Sequence, residues 1–189
     1  MSVLGTVGAC DVAGGVAIVE GKIIAVCTSE NKGTRKTNVG QACLKADWGI
    51  EGDAHAGPWH RQVSLLAIES IDKMRAKGLD VGPGDFAENI TTEGLVLYDL
   101  PIGTQLRVGQ ALVEVTQIGK ICHDRCAIYY LAGDCVMPRE GIFVRVLCGA
   151  EIGEGDRIQV LPSPEPERTS QGSAESQCAT PAGHSQAGG

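Results

Sequence analysis

With 189 residues, 43% of them apolar and 21% charged, the chain suffices for one globular domain with a closed core and leaves no room for a second of full size. A formal charge of −7 excludes the bulk basic excess of a nucleic-acid-binding protein, so anions would have to be met by local basic loops. No apolar run approaches the roughly 18 residues of a membrane span, which excludes a helical membrane protein.

Taken in chain order, the opening MSVLGTVGACDVAGGVAIVEG has no basic residue before Lys22 and no long apolar core, so it does not read as a secretory signal. The expectation is a soluble cytoplasmic protein. GGVAIVEGKIIAVCTSE holds two β-branched runs around Glu20-Gly21-Lys22 and predicts a hairpin turning there. NKGTRKT, residues 31–37, follows as a glycine-containing loop whose Lys32, Arg35 and Lys36 suit an anion; the plain reading is a solubilising turn, and the loop alone is a weak signal. In WGIEGDAHAGPWHRQVSLL, Asp53, His55, His60, Arg61 and Gln62 fall in a Gly/Pro-broken loop that empties into a strand, the usual address of a binding site. Asp53, His55 and His60 form a conceivable metal set; hydrogen-bonding or packing histidines beside an anion site are the other reading.

The spacing of Ala67, Ile68, Ile71 and Met74 predicts a helix, with Gly78 as its C-terminal stop. GPGDFA at 82–87 does not complete a dinucleotide fingerprint, and no P-loop is present. GTQLRVGQALVEVTQIG predicts a hairpin turning at Gly109-Gln110, a short helix is expected from Asp124 to Leu131 before Gly133, another from Pro138, and GEGDRIQVL supplies a closing strand. Many short strands with glycine turns, and no sustained βαβ alternation, predict a mainly β fold with a few helices, a barrel rather than a Rossmann sheet. From Pro162 to Gly189 there is no Val, Ile, Leu, Met, Phe, Trp or Tyr, so residues 1–161 read as the domain and 162–189 as a disordered tail or linker.

Eight cysteines, in a reducing compartment, are core thiols, metal ligands or catalytic groups rather than disulfides. Three of them share GKICHDRCAIYYLAGDCVMPREGIF. Cys122, Cys126 and Cys135 with His123 offer four zinc ligands, but the spacing lacks the paired Cys-x-x-Cys of structural zinc. The same departure weakens a redox dithiol of Cys122 and Cys126. The third reading is a single thiolate at Cys122, favoured by Lys120, His123 and Arg125 around it, with Cys126 and Cys135 as buried small hydrophobes.

GIEGDAHAG, RQVSLL, GDFAENITTEG, PIGTQLRVGQALVEVTQIGKICH, GIF and GDRIQV, in that order from about Gly14 to Leu161, resemble the MOSC domain, named after the C-terminal domain of molybdenum-cofactor sulfurases. The resemblance implies a β-barrel and a chemistry of one cysteine with a molybdenum or tungsten pterin cofactor. Its Q-x-x-x-x-C pattern falls on Gln117 to Cys122, which selects Cys122 as the catalytic thiol and metal ligand. Family-like roles are a sulfur carrier, with a persulfide on Cys122 and a sulfur donor or recipient molybdoenzyme as partner, or a reductase of N-hydroxylated compounds. A third possibility, outside these, is a non-catalytic zinc-stabilised module. Lys32, Arg35 and Arg61 would face the cofactor phosphate, His55 or His60 the pterin or metal oxo group, with Asp53, Gln62 and Asn89 completing the cofactor site. The resemblance does not extend to the pyridoxal-phosphate domain with which larger sulfurases generate persulfide.

Overall fold

The β-branched runs become strands and the glycines between them turns. The protein is described here by a computed structural model covering residues 19–120 and 127–162. The first arm of the expected N-terminal hairpin, the segment holding Cys122, His123, Asp124, Arg125 and Cys126, and the tail from 163 onward lie outside the described residues. The strands are β1 (Glu20–Thr28), β2 (Thr37–Asn38), β3 (Gln41–Lys45), β4 (Gly49–Ile50), β5 (Val63–Ala67), β6 (Ile90–Glu93), β7 (Gln105–Val108), β8 (Ala111–Ile118), β9 (Ile142–Cys148), β10 (Glu151–Gly153) and β11 (Arg157–Val160). The helices are α1 (Ile68–Arg75), α2 (Ala127–Ala132) and α3 (Met137–Glu140). None of these is long and apolar enough to cross a membrane.

Seven strands close into a barrel in the order β11-β7-β8-β9-β5-β6-β1, with β1 returning to β11; β2 extends it beside β1, and β10-β3-β4 form a small separate sheet. Neighbours are antiparallel except β5 and β6, which run parallel and are joined through α1. The expected turn at Glu20-Gly21-Lys22 is corrected: these residues are the first part of β1 and pair with Gln159, Ile158 and Arg157 of β11. Gly21 is there for close approach, since a Cβ would lie 2.5 Å from the Glu93 carbonyl oxygen and 2.6 Å from Leu95 Cγ. The β7–β8 hairpin does turn at Gly109, which has φ 56°. Helix α1 ends at Arg75 with Ala76 as its C-cap, Gly78 at φ 86° lies two residues beyond the cap, and Gly133 at φ 69° follows α2.

The barrel interior is filled by alternate strand residues, among them Ile23, Leu65, Val113, Val144 and Ile158. A second apolar cluster outside the barrel joins Leu66 and Phe143 to Ile71 and Met74 of α1, Ile128 of α2 and Met137 of α3. Strand β5, VSLLA, is therefore buried on both faces. Val63, Leu65 and Ala67 point inward, while Ser64 and Leu66 point outward, because successive side chains alternate across a strand.

Candidate functional site

Ser64, facing outward from β5, stands opposite Phe143 of β9 in the antiparallel register and bonds Asn89 at the entrance to β6. These three residues form one row across the barrel's outer face. Over the row opens a cavity of about 150 Å³ completed by His55, Trp59, Arg61, Ala87, Lys120 and Met137, with Gly33 at its rim. Basic side chains line it and no carboxylate does, among the described residues.

Arg61 is the centre of this charge. Its guanidinium carbon lies 4.8 Å from the centre of the Trp59 ring and 5.6 Å from that of Phe143, so the planar group is held between aromatic surfaces. Its Nε is buried and has no hydrogen-bond partner among the described residues. Lys120 enters from the end of β8, where Gly119, at φ 66°, donates from its amide to Gly141 O at 2.6 Å and leaves no room for a Cβ against the Pro138 carbonyl. The strand exit is thereby clamped three residues before Cys122 in the chain.

Beneath the cavity lies a buried ion pair. The Lys36 ammonium and the Asp53 carboxylate are in direct contact, with side-chain exposures of 0% and 1%. Asp53 also accepts the Ser29 and His55 amides, each at 3.0 Å, and Lys36 Nζ reaches Ser29 Oγ and His55 Nδ1, each at 3.3 Å. Burial alone would raise the Asp53 pKa, but the hydrogen bond and charge of Lys36 and the two amides outweigh it and hold the carboxyl below its ordinary value. Burial, reinforced by Lys36, pushes His55 below its ordinary value despite nearby Asp53.

The GDFAEN stretch is the brace of this wall. Gly84, at φ 86°, packs its Cα against the Lys36 carbonyl, and Lys36 N–H donates to Gly84 O at 2.9 Å. Fully buried Glu88 accepts the amides of Gly84 (2.6 Å) and Phe86 (3.1 Å) and the Thr91 hydroxyl (3.0 Å). Burial raises its pKa, against the pull of those bonds. Ala87, in the cavity wall, is held at φ 63°, a conformation that costs a non-glycine residue free energy and persists only where its surroundings enforce it. Asn89 donates to Cys27 O at 3.1 Å and accepts from Ser64 N and Oγ, so its carboxamide ties β1, β5 and β6 together. Cys27, beneath this loop, has its pKa pushed up to about 12 by burial and by Glu88, and is an inert core thiol.

The remaining expected site residues are dispersed. Lys32 Nζ sits 6.0 Å from the Trp59 ring centre, near the cavity, whereas Arg35 turns away to pair with Asp85 at 3.1 Å. His60 contacts Gln117 Oε1 at 3.1 Å and lines a different, open groove of about 720 Å³ with Pro58, Trp59, Ile102 and Thr116. Gln62 is buried and accepts the Val146 amide at 2.8 Å, a fastening of β9. Asp53, His55 and His60 are not gathered as a metal set: Asp53 is engaged by Lys36 and His60 stands in the other groove. No three His, Cys, Asp or Glu side chains converge as metal ligands among the described residues. Cys135 is buried in the outer apolar cluster. Trp59, Phe143 and Glu88 are not singled out by the sequence, and Lys36, offered there to an anion with Lys32 and Arg35, is instead buried against Asp53. Trp59 carried the clearest missed signal, an aromatic residue beside His60-Arg61 in a polar loop.

The barrel has solved counterparts. Over 76% of this chain and 96% of the other, the structure is similar to the YuaD protein from Bacillus subtilis, at 17% identity and a TM-score of 0.64. The YiiM proteins from Geobacillus stearothermophilus and Escherichia coli, each 20% identical, superpose with TM-scores of 0.57 and 0.54, over 75% and 76% of this chain and 75% and 71% of theirs. These likenesses show the fold. No curated protein matches the chain in sequence. The model of the MOSC domain matches residues 52–159, more than half of the sequence and nearly every wall of the cavity, and the chain belongs to the MOSC domain family.

Proposed function

We propose that the chain handles a molybdenum or tungsten pterin cofactor, binding its phosphate-bearing end in the cavity of His55, Arg61 and Lys120 and using Cys122 as the thiolate that carries sulfur or meets the metal. The observation that carries this reading is Arg61, which lines a cavity with no carboxylate among the described residues and whose buried Nε has no hydrogen-bond partner among them. A buried donor without a partner costs about 1–3 kcal/mol, more when charged, and a phosphate oxygen in the cavity removes that cost. Family membership supplies the cofactor class. When bound, the cofactor contributes a metal centre able to accept sulfur or electrons.

Small-molecule sites ordinarily run to about 300–1,000 Å³. The cavity, at about 150 Å³, suits an anionic end group, and Trp59, which lines both spaces, leads on to the groove of about 720 Å³ where the remainder can lie. Arg61 fixes the anion's orientation through its planar fork, stiffened by Trp59 and Phe143; Lys120 adds a point charge. Cys122 follows Lys120 by two residues in the chain, which supports its reach to the same ligand. Anaerobic purification followed by metal analysis and pterin fluorescence tests the reading. Molybdenum or tungsten with pterin upholds it, and stoichiometric zinc without pterin overturns it. Turnover of a hydroxylamine with a supplied electron donor would move the assignment to a reductase.

A further inference from the structure

Lys36 belongs to the basic loop that the sequence offers to an anion, yet it lines no part of the cavity. We infer that Lys36 is a positioning residue: buried against Asp53, it holds His55 Nδ1 as a hydrogen-bond acceptor, so that the ring carries its proton on Nε2 and presents the cavity with a neutral N–H donor. An ammonium has three donors and no lone pair, so the 3.3 Å contact from Lys36 Nζ to His55 Nδ1 requires an unprotonated Nδ1. The three donors of Lys36 match its three neighbours, Asp53 Oδ2, Ser29 Oγ and His55 Nδ1. Asp53 Oδ1 does not compete for the ring: it lies 3.7 Å from Nδ1, beyond hydrogen-bond range, and accepts the His55 amide.

The groups facing His55 come from three parts of the chain: Asp53 from its own loop, Lys36 and Lys32 from the loop after β1, and Lys120 from the end of β8. Three cations against one carboxylate oppose an imidazolium, in agreement with the lowered pKa of His55. A neutral donor has a functional consequence, which rests on the anion-site reading. The strength with which the cavity holds an anion does not change as pH crosses the ordinary histidine range, because Arg61 and Lys120 supply fixed charge and His55 supplies direction.

The test is nitrogen NMR of the histidine rings in the full chain, wild type against Lys36→Met, with inorganic sulfate as a probe that does not itself titrate between pH 5.5 and 8. In the wild type His55 should show the neutral Nε2–H form throughout, and sulfate affinity should vary less than twofold. In Lys36→Met the ring is left beside an unpaired Asp53, and His55 should become an imidazolium at pH 6.5, with sulfate affinity now rising on acidification. Should that variant not fold, Lys36→Met/Asp53→Asn removes both charges, and His55 should then populate both neutral tautomers and titrate as a free imidazole. A wild-type Nδ1–H form, or an unchanged pure Nε2–H ring in whichever variant folds, overturns the assignment. Absence of any sulfate-induced shift in the wild type would overturn the anion site instead, leaving the tautomer result readable on its own.

Discussion

Gly84 and Gly78 offer a controlled comparison, since both have φ 86° but only one is packed against another chain segment. At Gly78 an added Cβ meets nothing within 4 Å, so Gly78→Ala costs the left-handed conformation alone, about 1–2 kcal/mol. At Gly84 the same Cβ falls on the Lys36 carbonyl oxygen, with the carbonyl carbon at 3.0 Å and Cys27 Sγ at 3.3 Å. The two loops must then separate, straining the Lys36 N–H to Gly84 O bond and the Gly84 amide bond to Glu88. A lost backbone bond is worth about 0.5–1.5 kcal/mol, and disturbance of the buried Lys36–Asp53 pair beneath it carries a further penalty, up to the roughly 3–5 kcal/mol of breaking such a pair outright. Gly84→Ala should therefore exceed Gly78→Ala by about 2 kcal/mol, which is about 1 M in the urea midpoint at a typical m-value. Urea unfolding followed by fluorescence, with m unchanged between variants, reads the difference directly. Equal midpoints would refute the claim that this loop contact holds the site together.

Arg61→Ala should weaken phosphate-analogue binding roughly 10–100-fold, the equivalent of one charge-assisted bond of about 1.5–3 kcal/mol, with the fold retained; calorimetric titration checks it. Brief iodoacetamide treatment near pH 7 should label Cys122 and leave Cys27 unmodified, as peptide mass spectrometry would show, because Cys27 holds its proton to about 12. Cys122→Ser should abolish persulfide formation or metal retention without unfolding the chain. On acidification, His55 contributes stability that is present above its ordinary value of 6.5 and lost as pH falls through its lowered folded value; His55→Gln should flatten that part of the stability profile between pH 7 and 5. Asp53, lowered from 3.8, loses its contribution only in stronger acid, and Glu88, raised from 4.5, acts in the opposite sense, losing stability as pH rises through its folded value.

Local patterns were legible where the structure is local. The β7–β8 hairpin announces itself through Gly109 between alternating apolar residues, α1 through its 3–4 spacing, and the Asp53–Gln62 loop through Gly and Pro ahead of an apolar run. The turn assigned to Glu20-Gly21-Lys22 failed because glycine serves turns and close packing alike, and the partner that decides between them, β11, lies at the other end of the domain. Lys36 was misjudged for a related reason. Nothing local separates a lysine that will face water from one whose carboxylate partner stands 17 positions away. Arg61 was picked out by its loop and has a buried Nε with no partner among the described residues, whereas Arg35, equally basic in sequence, is paired with Asp85.

Closure of the barrel through β1 and β11 also governs how the protein comes to exist. Glu20 pairs with Gln159, so the last seam joins the first described strand to the last. During synthesis, β1 and β7 present unsatisfied edges until residues Arg157–Val160 have been made, the condition under which strands pair with foreign chains. Long-range seams of this kind are slow to form because loop-closure entropy must be overcome first. Lys36 and Asp53 are synthesised early, while Lys120 and Phe143 come late, so the anion site and the barrel mature together, only once Arg157–Val160 have been translated.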